Sequence, residues 1–64
     1  MFIKVTKELD RNTMLVNANH ILRVVQYQSS TVIVFTDNGE ASVVESVDEI
    51  EKMLKGADDE QKRP

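Results

Sequence analysis

The stretch of residues 15–46 constrains the fold most, because it consists of β-prone runs separated by turn residues. Residues 21–27 and 31–36 are rich in β-branched and aromatic side chains, which favour strands. The second run is followed by Asp37-Asn38-Gly39, and an Asn-Gly pair between apolar runs is a strong hairpin signal. The stretch therefore predicts an antiparallel meander, to which the flanks add one strand before it and one helix after it.

Two shorter segments carry local signals of their own. Residues 2–7 alternate apolar and polar side chains, as a half-buried strand does. Residues 17–20 read Asn-Ala-Asn-His, and Asn suits tight turns that are hydrogen-bonded locally. We predict that residues 17–20 form a hook, one turn of 3₁₀ helix, which leads the chain into the next strand.

A single helix is predicted over residues 46–55. Ser46 and Glu49 form a capping box at its start, and Gly56 is a natural stop at its end. Residues 57–64 show no periodicity and are predicted to be a disordered tail, so the domain spans residues 1–56. The apolar side chains of the helix share one stripe at helical spacing: Val47, Ile50, Met53 and Leu54.

The register of the hairpins decides which side chains share a face of the sheet. A two-residue Asn38-Gly39 loop pairs Val34 with Val43, and an even-length turn over residues 28–31 pairs Val25 with Val34. One face then carries Val25, Tyr27, Val32, Val34, Ala41 and Val43. The other carries Leu22, Val24, Ile33, Phe35 and Val44. Both faces are apolar, and one helix can cover only one of them.

A second copy of the chain is the expected cover for the remaining face. A 64-residue chain buries only about 60% of its unfolded surface, and small domains usually add disulfides, a metal or a partner chain. There is no cysteine, so disulfides and thiolate metal sites are excluded, and a single histidine with scattered carboxylates argues against a structural zinc site. We therefore expect a homo-oligomer, with this candidate self-association face: Leu22, Val24, Val25, Tyr27, Val32, Val34 and Val43.

The net charge argues against nucleic acid as a general partner, and the short apolar runs argue against a membrane. The net charge is −3: residues 1–36 carry four basic and two acidic side chains, and residues 37–64 four basic and nine acidic. Phosphate contacts supply most nucleic-acid affinity, so an acidic chain is a poor general binder. No apolar run approaches the ~20 residues of a membrane span, and the first residues do not resemble a signal peptide. We expect no membrane insertion and a cytoplasmic protein.

A weak basic patch is the one charged surface that the sequence suggests. It would comprise Lys4, Lys7, Arg11 and Arg23. The alternative is a solvated sheet edge, where lysine discourages the addition of further strands.

No motif in the sequence is catalytic. His20 is the single histidine of the chain, but a general base needs an oriented partner and a nucleophile, which no motif supplies. Asp48, Glu49 and Glu51 fit a helix start better than a metal cluster, and residues 37–39 lack the other ligands of a calcium loop. We predict no enzyme, no cofactor and no metal site. The role of His20, beyond that of a turn residue, stays open.

The order of segments resembles a known family. FIKVT, LVNANHILRVV, TVIVFTDNG and VVESVDEIEKML are similar to segments of the small FlbD/SwrD-type flagellar and swarming-motility proteins. The resemblance covers residues 2–54 and departs at residues 8–12, where the family has a glycine-containing turn. It implies a motility-related bacterial or phage protein. LVNANHI and the following hairpin also resemble part of the LytTR-type DNA-binding domain, whose loops are basic, whereas this chain offers little beyond Arg23.

Together these features predict a small α+β domain, a curled antiparallel meander of about five strands with one C-terminal helix packed on one face. We expect a non-enzymatic interaction or accessory protein that self-associates through a sheet face and binds a further protein partner. A nucleic-acid-binding regulatory module of LytTR-like type is the alternative function. A small ligand at a subunit junction stays open.

Overall fold

Strands dominate the fold, in a computed structural model that describes the backbone of residues 1–62 and the side chains of residues 1–56. The strands are β1 (Phe2–Thr6), β2 (Thr13–Asn17), β3 (Ile21–Gln26), β4 (Thr31–Phe35) and β5 (Glu40–Val43). A short 3₁₀ helix, Ala18–His20, precedes β3, and the α-helix α1 spans Val47–Lys62. The predicted α+β class, with about five antiparallel strands and a C-terminal helix, is confirmed.

The strands form two small antiparallel sheets and not the single curled meander that the sequence predicts. One sheet pairs β1 with β2, and the other has the order β3-β4-β5. The sheets meet where Lys7 bridges to Val43 and the Val44 amide donates to the Thr6 carbonyl at 3.0 Å. The junction extends no further toward the start of β1, because the Thr6 amide donates to the side-chain carboxylate of Glu45 in place of a backbone carbonyl.

The β4–β5 hairpin has a three-residue loop, residues 36–38, in place of the predicted two-residue Asn38-Gly39 loop. The Phe35 amide donates to the Gly39 carbonyl at 2.8 Å, so Phe35 and Gly39 close the hairpin in place of the expected pair, Asp37 and Glu40. Asn38 has a φ of 72°, the left-handed conformation that the last residue of such a loop requires and that Asn tolerates. Ile33 consequently faces Ala41, three residues away from its predicted partner Val44.

This odd shift in register moves Val43 to the opposite face, because side chains alternate along a strand. Val43 is 0% exposed in the core, so the prediction that Val34 and Val43 share a face is wrong. The β3–β4 hairpin is offset too, with Val25 opposite Val32 and not Val34. That offset is two residues, an even number, and it leaves the predicted faces of β3 and β4 unchanged.

The core lies between the two sheets and α1. Each of β1, β2, β4 and β5 contributes alternate side chains, and α1 contributes its apolar stripe. Full burial of an aliphatic side chain is worth about 1.5–3 kcal/mol, so this small cluster supplies most of the stabilisation. Its buried members are Ile3, Val5, Val16, Ile33, Val43 and Ile50. Partly buried side chains pack around them: Met14, Ile21, Val24, Phe35, Met53 and Leu54.

The predicted local signals at the 3₁₀ helix and at the start of α1 are confirmed. The Asn17 side chain accepts from the Asn19 amide at 3.0 Å and caps the 3₁₀ helix. At α1, the Ser46 hydroxyl accepts from the Glu49 amide at 3.1 Å, while the Glu49 carboxylate accepts from the Ser46 amide at 2.8 Å. These reciprocal bonds are the predicted capping box.

The end of α1 differs from the prediction. Gly56 does not adopt a positive φ, and the helix continues to Lys62, beyond the predicted end at residue 55. An interior glycine costs a helix only about 1 kcal/mol relative to alanine, which is too little to stop it alone. Of the tail predicted over residues 57–64, residues 63–64 lie outside the described backbone and all of it lies outside the described side chains.

Candidate interaction surface

The strand surface turned away from α1, which we call the outer face, carries apolar side chains that nothing in the described chain covers fully. On β1 and β2, Phe2 and Leu15 alternate with core residues and are 61% and 64% exposed. On β3 and β4, Val25 and Val32 face each other and are half-buried. Tyr27, one residue past β3, continues the same alternation and is 57% exposed.

Val34 is the central residue of the outer face of the three-stranded sheet. It faces Arg23 on β3 and Glu40 on β5, and it is only 9% exposed. Arg23 and Glu40 are two strand spacings apart, about 10 Å between backbones, and both are exposed. Among the described side chains, ion pairs join Lys7 with Asp10 and Lys55 with Glu51, so the two charges beside Val34 are not paired with each other.

The structure places the predicted self-association residues in different environments. Val43 lies in the core and Val24 packs against it, so neither belongs to an exposed face, and these two assignments are corrected. Leu22 lies at a bulge in β3 and is 54% exposed at the sheet edge. The remaining residues share the outer face, as the sequence predicts: Val25, Tyr27, Val32 and Val34.

The predicted basic residues do not gather into a patch within the described structure. Lys4 lies on the outer face of β1, and Arg23 lies on β3 with β5 and β4 between them. The Lys7 ammonium is 3.4 Å from a carboxylate oxygen of Asp10. Arg11 lies in the β1–β2 loop, where it has a φ of 62°. The four positive charges are therefore spread over different parts of the surface.

His20 is exposed at the end of the 3₁₀ helix and has a structural contact through its backbone. Its carbonyl accepts from the Thr36 amide at 2.8 Å, which joins the start of β3 to the end of β4. Its side chain lines an open groove with Phe35 and Asp37. Within the described residues, no three His, Asp or Glu side chains are grouped to hold a metal, and no helix is long and apolar enough to cross a membrane.

Two exposed leucines were missed by the sequence reasoning. Leu9 is 93% exposed in the β1–β2 loop, beside an open groove lined by Met14 and Ala41. Leu15 faces Lys4 on the outer face. Strict alternation through residues 13–17 would have identified Leu15, because Met14 and Val16 on either side of it point to the core. Nothing in the local pattern identifies Leu9, which stands in a polar loop.

The outer face carries both apolar and charged side chains. It combines aromatic and aliphatic side chains with charged residues, and apolar centres with charged rims are typical of protein interfaces.

Comparisons with protein-family models, with curated proteins and with solved structures found no match to this chain.

Proposed function

We propose that this protein is a non-enzymatic interaction module that self-associates through its outer face. The observation that supports this is the one-sided cover of the strands: α1 packs over one face, while on the other face Tyr27 is exposed and Val25 and Val32 are only half-buried. Exposed apolar patches on small domains commonly mark sites where another protein binds.

The size of the domain supports the same proposal. A stable specific interface buries at least about 1,000 Å² in total, or about 500 Å² on each copy. The chain has an accessible surface of 4705 Å², so roughly a tenth of it would suffice. A small core leaves little stability to spare, and covering the outer face with a second copy adds apolar burial that the monomer lacks.

The resemblance of residues 2–54 to FlbD/SwrD-type proteins supports an accessory role in bacterial or phage physiology, with motility as the specific suggestion. In that role the self-associated module binds a further protein partner in the cytoplasm. The scattered basic side chains give no support to the alternative of a nucleic-acid-binding module.

Sedimentation equilibrium of the full chain at micromolar concentration tests self-association. We expect a stable oligomer, and we expect Tyr27→Lys to lower its order, because an ammonium on the outer face must be desolvated on association. Tyr27 is exposed, so this variant should fold normally by circular dichroism. Asn19→Lys, which adds the same charge at an exposed position off the sheets, serves as the control. A monomeric wild-type chain would overturn the proposal.

Titration with DNA and RNA tests the alternative function. Specific or general nucleic-acid binding would show as an affinity that falls steeply with salt, since bound counterions are released from the phosphates. We expect no binding at low salt. Tight, salt-sensitive binding would favour the nucleic-acid-binding module over self-association as the main activity.

A further inference from the structure

Three rows of side chains cross the outer face of the three-stranded sheet, one residue from each strand. The first row is Arg23, Val34 and Glu40, and the second is Val25, Val32 and Ser42. The third row continues the same register past the ends of β3 and β5. In this register Tyr27 lies opposite Ser30, with which it shares a backbone hydrogen bond, and Ser30 lies opposite Val44. Each row therefore differs at its two ends.

The ends of these rows are complementary to each other. In the first row a positive side chain lies on the β3 side and a negative one on the β5 side, with an apolar residue between them. In the third row both ends are exposed apolar residues, Tyr27 at 57% and Val44 at 43%. A surface that reads positive, apolar, negative across its width is complementary to its own copy turned around.

We propose that two copies pack with these faces together about a two-fold axis that runs along β4. A closed dimer in which the same face of each copy meets the other requires a two-fold axis lying in the plane between them. An axis along β4 exchanges the β3 and β5 sides, so Arg23 of each copy lies over Glu40 of the other. Val34 then meets Val34, Val32 meets Val32, and Tyr27 meets Val44. This arrangement rests on the proposed function and specifies its partner and register.

The alternative two-fold axis, across the strands at Val34, is disfavoured by charge. It would place Arg23 over Arg23 and Glu40 over Glu40, two pairs of like charges at an interface, and such pairs oppose association. Both axes keep the strands of the two sheets aligned, which is a common way for sheets to pack face to face, so strand alignment does not distinguish them. The charges therefore select one arrangement over the other.

Charge reversal tests this register directly. Arg23→Glu places a negative side chain at both ends of the first row, and Glu40→Arg places a positive side chain at both ends. Each variant alone should dimerise about tenfold or more weaker than wild type, because both intermolecular pairs become like-charged. Lys52→Glu, the same charge change as Arg23→Glu at an exposed position of α1, should leave the dimer unchanged.

Mixing the two variants in equal amounts completes the test. The weakening of each single variant is the result specific to this register, because the axis across the strands would pair like charges in wild type and in both variants alike. In the mixed dimer both intermolecular pairs are opposite in charge again, while the charges within each chain stay alike, so rescue isolates contacts between chains. We expect sedimentation equilibrium and native mass spectrometry to show a heterodimer with the wild-type affinity. The double variant, Arg23→Glu with Glu40→Arg, should also form a wild-type homodimer.

The outcomes separate the register from the proposed function. If the wild type dimerises and Tyr27→Lys weakens the dimer, but the single charge variants dimerise as tightly as wild type, or their mixture stays weak, then the outer face associates in another register and this inference is overturned. If the wild type is monomeric, self-association itself fails together with the register. Weaker dimers of both single variants, wild-type affinity in their mixture and an unchanged control together support the two-fold arrangement.

Discussion

The Thr6 amide donates to both carboxylate oxygens of Glu45, at 2.9 and 3.0 Å. The Thr6 carbonyl accepts from the Val44 amide at 3.0 Å, so the segment between β5 and α1 satisfies both backbone groups of this residue. The bonds between Thr6 and Glu45 link residues 39 positions apart in the chain, and with the Val44 bond they join the two-stranded sheet to the three-stranded one. The Glu45 carboxylate therefore takes the place that a backbone carbonyl of a neighbouring strand would have at the junction of the sheets.

Replacing Glu45 with alanine should lower the free energy of unfolding by about 1–3 kcal/mol, because it leaves a partly buried amide without a partner. Urea denaturation measures the change. Glu45→Gln keeps one acceptor oxygen in a side chain of the same length and should lose less. If the alanine variant were as stable as wild type, the carboxylate would not be holding the junction.

Some elements of this fold follow from local sequence, and the junction does not. The capping box of Ser46 and Glu49 and the cap of the 3₁₀ helix by Asn17 each involve residues within three positions of each other, where propensity and geometry decide. The contact of Glu45 with Thr6 depends on how distant segments meet, which no local pattern encodes.

The candidate site is only partly predictable from the sequence, because the local sequence at Asn38-Gly39 does not determine the register of the hairpin. Asn38-Gly39 is compatible with a two-residue or a three-residue loop, since Asn and Gly both tolerate positive φ. The three-residue loop places Val43 in the core opposite Thr31, and this burial distinguishes the two registers. The predicted face of Val25 and Val32 agrees with the structure because the β3–β4 hairpin differs from its prediction by an even number of residues.

Arg11→Gly should stabilise the protein. Arg11 has a φ of 62° in the β1–β2 loop, a conformation that costs a residue with a Cβ about 1 kcal/mol or more. Glycine removes this cost but gains freedom in the unfolded chain, so the net increase in unfolding free energy should be up to about 1 kcal/mol. A rise in thermal melting temperature measures it.

Asn12→Gly is the control for this loop substitution. Asn12 is the next residue and has no positive φ, so glycine there adds freedom to the unfolded chain, removes the side-chain hydrogen bond to Asp10 and should lower the melting temperature. A lower melting temperature for Arg11→Gly as well would mean that contacts of the arginine side chain outweigh the backbone cost.

Asp10 should make stability depend on pH in the acid range. Its carboxylate accepts from the Asn12 amide at 3.0 Å and lies 3.4 Å from the Lys7 ammonium. The hydrogen bond from Asn12, chiefly, and then Lys7 hold the pKa of Asp10 below its ordinary value of 3.8. A carboxyl whose pKa is lowered by folding stabilises the fold above its unfolded pKa, and this stabilisation is lost as the pH falls through the folded pKa.

Urea midpoints of wild type and Asp10→Asn across this range measure the effect. We expect wild type to be the more stable at neutral pH, and we expect the difference to shrink as the pH falls below about 3.8. Other carboxyls titrate in the same range, but they are common to both chains and cancel in the difference. A difference that does not change with pH would mean that Asp10 has the same pKa in the folded and unfolded chains.

Val43→Ala and Val32→Ala should lower the stability by different amounts, because the two valines lie on opposite faces of the sheet. Val43 is 0% exposed among core side chains, so Val43→Ala should cost about 2 kcal/mol or more through lost burial and the cavity left behind. Val32 is half-buried on the outer face, so Val32→Ala should cost about 1 kcal/mol or less in the monomer. A two-residue loop at Asn38-Gly39 would put both valines on one face with similar costs. Urea denaturation at several protein concentrations distinguishes these cases, because loss at the core is independent of concentration, whereas loss at an associating face grows as the chain is concentrated.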